Sequence, residues 1–170
     1  VHTKPGIFGW RKEDAGSALL AAVAEIPTGA SVLDLGCGYG YLAIKAAQQG
    51  AGRVWATDNN AAAVAACQRN LQELSIPGEV RAGNCGDTVT ESFAVVLCNP
   101  PFHEGFKVSS ELTRKFLDAI SHLLAPGGAA FVVVSSFIPL EKAAVSTFTD
   151  VDTITDSGTF KVVRLGNGVG

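Results

Sequence analysis

The chain has 170 residues, of which 47% are hydrophobic, and its 13 Lys and Arg residues stand against 16 Asp and Glu residues for a net charge of −3. This apolar fraction excludes a disordered chain, and the length favours one domain. No run of about 18 apolar residues is present to span a membrane. The negative charge argues against a protein that binds nucleic acid through bulk charge alone.

In chain order, short apolar runs alternate with stretches of helical pattern. The apolar runs predict strands at residues 31–35, 53–57, 79–82, 93–98, 129–135, 152–155 and 159–165. The stretches between them predict helices at residues 17–26, 40–49, 61–74, 109–124 and 139–148. Asn60 is placed to cap the third helix, and Pro126-Gly127-Gly128 to end the fourth.

Strands that alternate with helices indicate a parallel sheet with crossover connections. The end of the chain differs, because only residues 156–158 separate the last two strands, and so short a turn joins antiparallel neighbours. The sequence therefore predicts an α/β domain whose sheet is mostly parallel, with one antiparallel strand near its C-terminal end.

One domain is predicted over residues 1–170, with an N-terminal segment and helix at 1–30, a core at 31–165 and a frayed tail at 166–170. The chain begins at Val1 and contains no Met. We therefore interpret it as a piece of a longer protein and expect a preceding N-terminal domain to be missing from it.

The cysteines indicate the redox compartment. Cys37, Cys67, Cys85 and Cys98 form no Cys-x-x-Cys pair, and no His stands at ligand spacing from them. This pattern does not predict a zinc site, and no metal is expected. Free structural cysteines are typical of a reducing compartment, which predicts a cytoplasmic protein.

The first predicted strand leads into a glycine-rich loop, Asp34-Leu35-Gly36-Cys37-Gly38-Tyr39-Gly40, which precedes a helix. Glycines allow a sharp turn and a close approach to a ligand, and ligands of open parallel sheets bind at the carboxyl ends of the strands. The loop departs from the dinucleotide fingerprint because the last position of that pattern holds Tyr41. By itself, the loop also fits a tight strand-to-helix turn with a capping Asp.

Two carboxylates suggest which ligand the loop serves. Asp58 ends the second strand, 22 residues after Gly36, and can accept hydrogen bonds from both hydroxyls of a ribose. Asp34 is placed to receive a cation such as the ammonium of an amino acid. An adenosine joined to an amino acid through a sulfonium is S-adenosylmethionine. The predicted cofactor contacts are Asp34, Gly36, Cys37, Gly38, Gly40, Asp58, Asn59, Asn84 and Asn99, and Asn84 is equally compatible with a plain loop role.

The segment Asn99-Pro100-Pro101-Phe102-His103 follows the fourth predicted strand. Its prolines restrict the backbone to a rigid bend that presents two acceptors, the Asn99 side-chain oxygen and the Pro100 carbonyl. Two fixed acceptors suit the two hydrogens of an exocyclic amine. The predicted catalytic residues are Asn99, Pro100 and Phe102, and the predicted substrate contacts are Pro101, Phe102, His103 and Lys107. The alternative is a strand-ending loop with a buried Phe and a solvated His.

These residues resemble the motifs of the class I S-adenosylmethionine-dependent methyltransferases. Asp34 to Gly40 is similar to the first motif of that class, Asp58 to its acidic second motif, and Asn99 to Phe102 to its amino-methylating motif. A closer resemblance is to the "methyltransferase small" domain of the bacterial ribosomal RNA guanine-N2 methyltransferases, through residues 5–8, 14–17, 99–105 and 157–162. The charged stretch Trp10-Arg11-Lys12-Glu13 is longer than expected for that family.

The resemblance implies a Rossmann-like three-layer sandwich with a seven-stranded sheet and S-adenosylmethionine as the methyl donor. It implies transfer to the exocyclic N2 amine of a guanosine in ribosomal RNA, free or within a small or large ribosomal subunit, with no membrane partner. In that family the catalytic domain follows a degenerate copy of itself.

Other readings of the sequence stay open. The motif also fits methylation of adenine N6 or of a protein Gln amide, and a domain that binds ligand or RNA without turnover is a further alternative. A nicotinamide-dependent dehydrogenase is the weakest of them, because of Tyr41. Lys107, Arg114 and Lys115 could position a phosphate backbone, or they could be ordinary solvated cations.

Overall fold

The computed structural model of the chain describes residues 14–102 and 110–168. The sequence predictions for Pro5 to Phe8, His103 and Lys107 lie outside the described residues. The described helices are α1 (Ala15–Val23), α2 (Tyr41–Gln48), α3 (Ala61–Glu73), α4 (Ser110–Leu123) and α5 (Leu140–Ala144). The strands are β1 (Ser31–Leu35), β2 (Arg53–Asp58), β3 (Gly78–Ala82), β4 (Phe93–Cys98), β5 (Leu124–Ser135), β6 (Asp150–Asp156) and β7 (Phe160–Gly166).

The strands form one seven-stranded sheet in the order β3-β2-β1-β4-β5-β7-β6. The pairs from β3 through β5 are parallel, whereas β7 is antiparallel to both of its neighbours, β5 and β6. The predicted mostly parallel sheet with one antiparallel strand near the C-terminus is therefore confirmed. The sheet order reverses between β1 and β4, the switch point at which open α/β sheets bind ligands.

Two separate apolar cores cover the two faces of the sheet. On one face, α4 and α5 pack over the sheet, with Phe93, Phe116 and Ile120 among the buried residues. On the other face, α1, α2 and α3 do so, and Leu20 and Leu42 are buried there. The strands between them carry near-continuous apolar runs because both faces are covered. This arrangement is the predicted three-layer sandwich.

The first helix begins earlier than the sequence predicts. It spans Ala15–Val23 instead of 17–26, because the Asp14 side chain accepts a hydrogen bond from the Ser17 backbone N–H at 2.7 Å and caps the helix. The helix ends where Ala24 adopts an extended conformation. The cap places Asp14 and Ser17 at the carboxyl edge of the sheet, beside the end of β4.

The expected frayed tail is wrong for residues 166–168. Gly166 pairs with Ala129 in β5, the Gly168 N–H donates to Thr149 Oγ1 at 2.8 Å, and Asn167 Oδ1 accepts from the Thr149 N–H at 3.2 Å. The antiparallel hairpin extends further than its apolar pattern indicates.

Within residues 14–102 and 110–168, no helix combines the length and apolarity needed to cross a bilayer.

Candidate active site

The glycine loop after β1 is tied to the end of β2 through its backbone. The N–H groups of Gly36 and Cys37 both donate to the Thr57 carbonyl, at 2.9 and 3.0 Å. Gly36, Gly38 and Gly40 have φ values of 79°, 53° and 93°, in the left-handed region that residues with a side chain avoid. A Cβ at Gly36 would meet nothing within 4 Å, so the loop leaves open space at this point.

Asp34 lies under the loop and is 1% exposed. Its Oδ2 accepts a hydrogen bond from the Ala43 N–H at 3.0 Å, which caps α2 in place of Gly40, a residue without a side chain. Its Oδ1 is buried without a hydrogen-bond partner. Burial raises the pKa of Asp34 from 3.8 to about 7; the Ala43 hydrogen bond opposes the rise, and the nearby Asp58 adds to it. A buried, unpartnered carboxylate oxygen is a site for a cationic donor.

Asp58 links the loop to the end of β2 through its side chain. Its Oδ2 accepts from the Gly38 N–H at 2.9 Å, and its Oδ1 accepts from the Asn60 N–H at 2.8 Å. A carboxylate offers about four lone-pair positions, so each oxygen retains one for a further donor. Asp58 is half-buried, and its carboxylate is therefore fixed in orientation while still open to a ligand.

A single cleft joins the residues that the sequence separates. It is open to solvent, and its lining residues are Asp14, Ser17, Asp34, Gly36, Cys37, Gly38, Tyr39, Tyr41, Leu42 and Asn99. The loop after β1 and the segment after β4 thus face the same space, as expected for the carboxyl edge of neighbouring parallel strands.

The bend after β4 is an inverse γ-turn centred on Pro101. The Phe102 N–H donates to the Pro100 carbonyl at 2.7 Å, so one lone pair of the predicted acceptor is already engaged. Sequence reasoning noted that Pro101 has no N–H but missed the competing N–H of Phe102. A carbonyl oxygen has two lone pairs, and the second remains for a substrate donor.

The side chain of Asn99 is held by the N-terminal helix. Its Nδ2 donates to Asp14 Oδ2 at 2.8 Å and to Ser17 Oγ at 2.9 Å. A carboxylate can only accept, so this contact fixes the amide with its nitrogen toward α1 and leaves Oδ1 at the other end. Sequence reasoning missed both partners of Asn99, since an Asp at a helix start indicates only an N-cap.

Phe102 lies in the core of the α4 face. It is 4% exposed and packs edge-on against Phe116, with ring centroids 5.7 Å apart and an interplanar angle of 85°. In this conformation the ring is part of the apolar core on the α4 face of the sheet. The stacking role expected of Phe102 would require its ring to leave Phe116, and that role remains a prediction.

The remaining predicted site residues occupy different positions along the same edge. Asn59 and Asn84 are exposed in the turns after β2 and β3, and the Asn84 N–H donates to Asp87 Oδ1 at 2.7 Å. Cys37 is buried under the loop, where a hydrogen bond with Cys67 and burial raise the pKa of its thiol. Pro100 is buried and Pro101 is exposed.

This fold, with a glycine loop and an acid after the second strand, is that of the Rossmann-like methyltransferases. The family model of the methyltransferase small domain matches residues 1–164, and the chain belongs to that family. It is 32% identical over 165 residues to the ribosomal RNA small subunit methyltransferase C of Photorhabdus laumondii, covering 96% of this chain and 49% of the relative. The protein of the same name from Yersinia enterocolitica is 34% identical, with 99% and 49% covered.

Solved structures agree with this assignment. The T. thermophilus 16S rRNA N2 methyltransferase RsmC, in complex with AdoMet and guanosine, superposes with a TM-score of 0.88 at 28% identity, covering 96% of this chain and 46% of that chain. A methyltransferase from Pyrococcus furiosus, at 18% identity, shares the fold with a TM-score of 0.80, covering 99% of this chain and 89% of that one. The chain spans about half the length of the curated relatives that it matches.

The chain thus belongs to a methyltransferase family, and its cofactor is S-adenosylmethionine. Three observations fit this group. The unpartnered Oδ1 of Asp34 suits its ammonium, the open space at Gly36 admits a ligand against the backbone, and the free lone pairs of Asp58 suit its ribose. We expect these residues to hold the cofactor.

Proposed function

We propose that this domain transfers a methyl group from S-adenosylmethionine to the exocyclic N2 amine of a guanosine in ribosomal RNA. One observation carries the proposal. Asn99 lines the cleft that also contains Asp34 and Gly36, and Asp14 fixes its amide. The Pro100 carbonyl, next along the chain, is the second expected acceptor. An amine with two hydrogens is the group that such a pair would orient.

The chemistry follows from the nature of these acceptors. S-adenosylmethionine supplies an electrophilic methyl group when bound. The lone pair of a guanine amine is delocalised into the ring, which makes it a weak nucleophile. Hydrogen bonds from its two hydrogens to Asn99 Oδ1 and the Pro100 carbonyl favour the pyramidal amine and direct its lone pair toward the donor. The same acceptors stabilise positive charge as it develops on nitrogen.

No side chain in this arrangement has to act as a base. Once nitrogen has gained a methyl group it is positively charged and acidic, and the proton leaves to water. The target base has to be unpaired and turned out of its stack, because the amine of a paired base is not accessible to acceptors inside a cleft.

The relatives support the choice of substrate. The two curated relatives are named as small-subunit ribosomal RNA methyltransferases, and the T. thermophilus structure contains guanosine. We propose ribosomal RNA, free or in a ribosomal subunit, as the partner of this domain, and the bacterial cytoplasm as the place where it acts. The remaining half of the relatives' length is a candidate for further RNA contacts.

The test is methylation of ribosomal RNA and of assembled subunits from cells that lack the corresponding methyltransferase. Labelled donor and this domain are added, and the modified nucleoside is identified by mass after digestion. N2-methylguanosine is the expected product. Methyladenosine, or label in ribosomal protein, would replace the guanosine assignment. No transfer to any RNA or protein, with intact donor binding, would reject catalysis.

A further inference from the structure

The contacts of Asn99 point to a role for the N-terminal helix in the reaction. A primary amide can present either its oxygen or its NH2 group to a substrate, and the two orientations differ only by a rotation about one bond. Presenting NH2 would place donors against the hydrogens of the substrate amine. The arrangement therefore works only if something fixes the orientation of the amide.

We propose that Asp14 and Ser17 are positioning residues that fix the Asn99 amide with its oxygen toward the substrate. This inference rests on the proposed function. The two hydrogens of Nδ2 each have an acceptor, Asp14 Oδ2 at 2.8 Å and Ser17 Oγ at 2.9 Å. Rotating the amide would set its oxygen against the Asp14 carboxylate, an acceptor against an acceptor, which a half-buried site strongly disfavours.

The capping contact of Asp14 makes the arrangement rigid. The Oδ2 atom that accepts from Asn99 also accepts from the Ser17 N–H at 2.7 Å, and the cap therefore sets the position of the carboxylate. Ser17 is 8% exposed and lies in the first turn of α1. The start of α1 and the side-chain amide of Asn99 thus belong to one hydrogen-bond network.

Asp14→Ser is the variant that separates positioning from folding. Ser caps a helix about as well as Asp, but its shorter side chain does not reach Asn99. We expect kcat for methyl transfer to fall by about 10- to 100-fold, the effect of losing a charge-assisted hydrogen bond, with donor affinity and Tm close to those of the parent chain. Asp14→Asn keeps an oxygen in the same place and should restore most of the activity.

Two further measurements exclude a purely structural role. Ser17→Ala leaves the backbone cap intact and should lower kcat by a smaller factor, whereas Ser92→Ala, before the amino end of β4, should change nothing.

In an Asn99→Ala background, Asp14→Ser should cause no further loss of kcat, because the amide that Asp14 orients is gone. A full additional loss there, or full activity of Asp14→Ser alone, overturns the positioning role. Full activity of Asn99→Ala would instead reject the proposed function of the site.

A second observation concerns the groove between α4 and α5. This α4–α5 groove has a cavity volume of about 380 Å³, and its lining residues are Ser110, Thr113, Arg114, Leu117, Ile138, Pro139, Leu140, Lys142, Ala143, Ser146 and Thr147. Among the residues that the structure describes, the lining includes hydroxyl groups and two cations but no carboxylate, in a chain whose net charge is −3. The acid next to Lys142, Glu141, is engaged by Lys161 Nζ at 2.8 Å.

Phe137 adds an apolar group beside this groove. It is 77% exposed and lies two residues after the end of β5, one residue before the groove residue Ile138. Because β4 and β5 are parallel, with Cys98 opposite Val132, Phe137 and Asn99 follow the same edge of the sheet. An exposed aromatic ring next to cations is the combination that single-stranded nucleic acids recognise.

We infer that the α4–α5 groove and Phe137 bind the RNA strand that flanks the target nucleotide, and this inference also rests on the proposed function. Arg114 and Lys142 contact phosphates, and the ring of Phe137 stacks on a neighbouring base. The α4–α5 groove lies on the half of the sheet away from the glycine loop, which leaves the cofactor cleft free.

The test measures the affinity of the chain for unmethylated ribosomal RNA as a function of salt. Arg114→Gln and Lys142→Gln should each weaken binding and lower the slope of log affinity against log salt by about 0.7–0.9. Phe137→Ala should weaken binding about tenfold with little change in slope. Arg69→Gln and Leu74→Ala, exposed at the far end of α3, are the matched controls and should have no effect.

The outcomes separate the two proposals. If the parent chain methylates RNA but these three variants bind RNA and respond to salt as it does, the groove assignment is wrong and the reaction stands. If the parent chain binds RNA and loses affinity in these variants but methylates only protein, the proposed substrate is wrong while the surface stands.

Discussion

The two halves of the candidate site are built in different ways. On the side of β1 and β2, the cleft wall is mostly backbone: the glycine loop donates to the Thr57 carbonyl, and Asp58 accepts from the Gly38 N–H. On the side of β4, one expected acceptor is the backbone carbonyl of Pro100 and the other is a side-chain amide, which Asp14 and Ser17 hold. The cofactor half thus depends mainly on backbone geometry, whereas the substrate half depends also on the orientation of one side chain.

This difference has a consequence for mutagenesis. Where backbone geometry makes the site, a substitution that changes backbone conformation also affects stability. Where a side chain makes the site, a polar substitution can remove chemistry and leave the fold unchanged.

The largest effect is expected at Asn99. Asn99→Ala removes one of the two acceptors for the substrate amine and should lower the rate of methyl transfer by about 10²–10³-fold, as the loss of one preorganised hydrogen bond does elsewhere. Single-turnover transfer measures this rate, and calorimetry should show a much smaller change in donor affinity. A parallel loss of donor affinity would place Asn99 in the cofactor half.

The next effect is on stability, in the cofactor half. Gly40 has φ 93°, and a Cβ there would lie 2.7 Å from Cys67 Sγ. Gly40→Ala should therefore lower the free energy of unfolding by about 2–4 kcal/mol, through left-handed strain plus overpacking. Urea denaturation measures the change.

Gly36→Ala is the matched comparison for this effect. It has the same kind of strain, with φ 79°, but nothing lies within 4 Å of the added Cβ. Its cost in stability should be only about 1–2 kcal/mol, while donor affinity should fall because the Cβ enters the cleft. Equal stability losses in the two variants would contradict the packing argument.

Much of the fold and of the two halves of the site could be predicted from the sequence, but not all of it. Apolar runs and turn residues were enough for the sheet, its antiparallel strand and the carboxyl-edge position of Asp34 and Asn99. The contact of Asn99 with Asp14 could not be read from them, since the two residues are 85 positions apart and meet only when α1 packs against β5 and β7, next to the segment after β4. The burial of Phe102 was only the alternative to a substrate contact, because an aromatic residue in a loop gives the same sequence pattern whether it faces a ligand or the core.

A smaller effect is expected for the ribose contact at Asp58. Asp58→Ala removes acceptors for the ribose and unties the Gly38 N–H, and should weaken donor binding by about 10- to 100-fold. Asp58→Asn keeps one acceptor oxygen and should lose less. Calorimetric titration with S-adenosylmethionine distinguishes the variants. Unchanged donor affinity in Asp58→Ala would show that the ribose lies elsewhere.

The smallest effect is the pH dependence of donor binding, and its sign follows from Asp34. Burial holds the pKa of Asp34 at about 7, so the free protein binds this proton at pH 6, whereas an unfolded Asp with a pKa near 3.8 does not. Between about pH 4 and 7, Asp34 is ionised in the unfolded chain but protonated in the folded one. The folded state therefore becomes less stable as the pH rises through this range. A cationic group at Oδ1 favours the ionised carboxyl, so donor binding should release a proton, and affinity should rise by at most about tenfold per pH unit up to about pH 7.

Calorimetry in buffers of different ionisation enthalpy counts the released proton, and Asp34→Asn should abolish the release while keeping an acceptor for the Ala43 N–H. This measurement reports on the cofactor half of the site, because Asp34 is buried under the glycine loop and near Asp58. Proton release that persists in Asp34→Asn would assign the titration to another group. Release that is lost in Asp34→Asn but unchanged in Asn99→Ala would show that the cofactor half works independently of the side-chain network on β4.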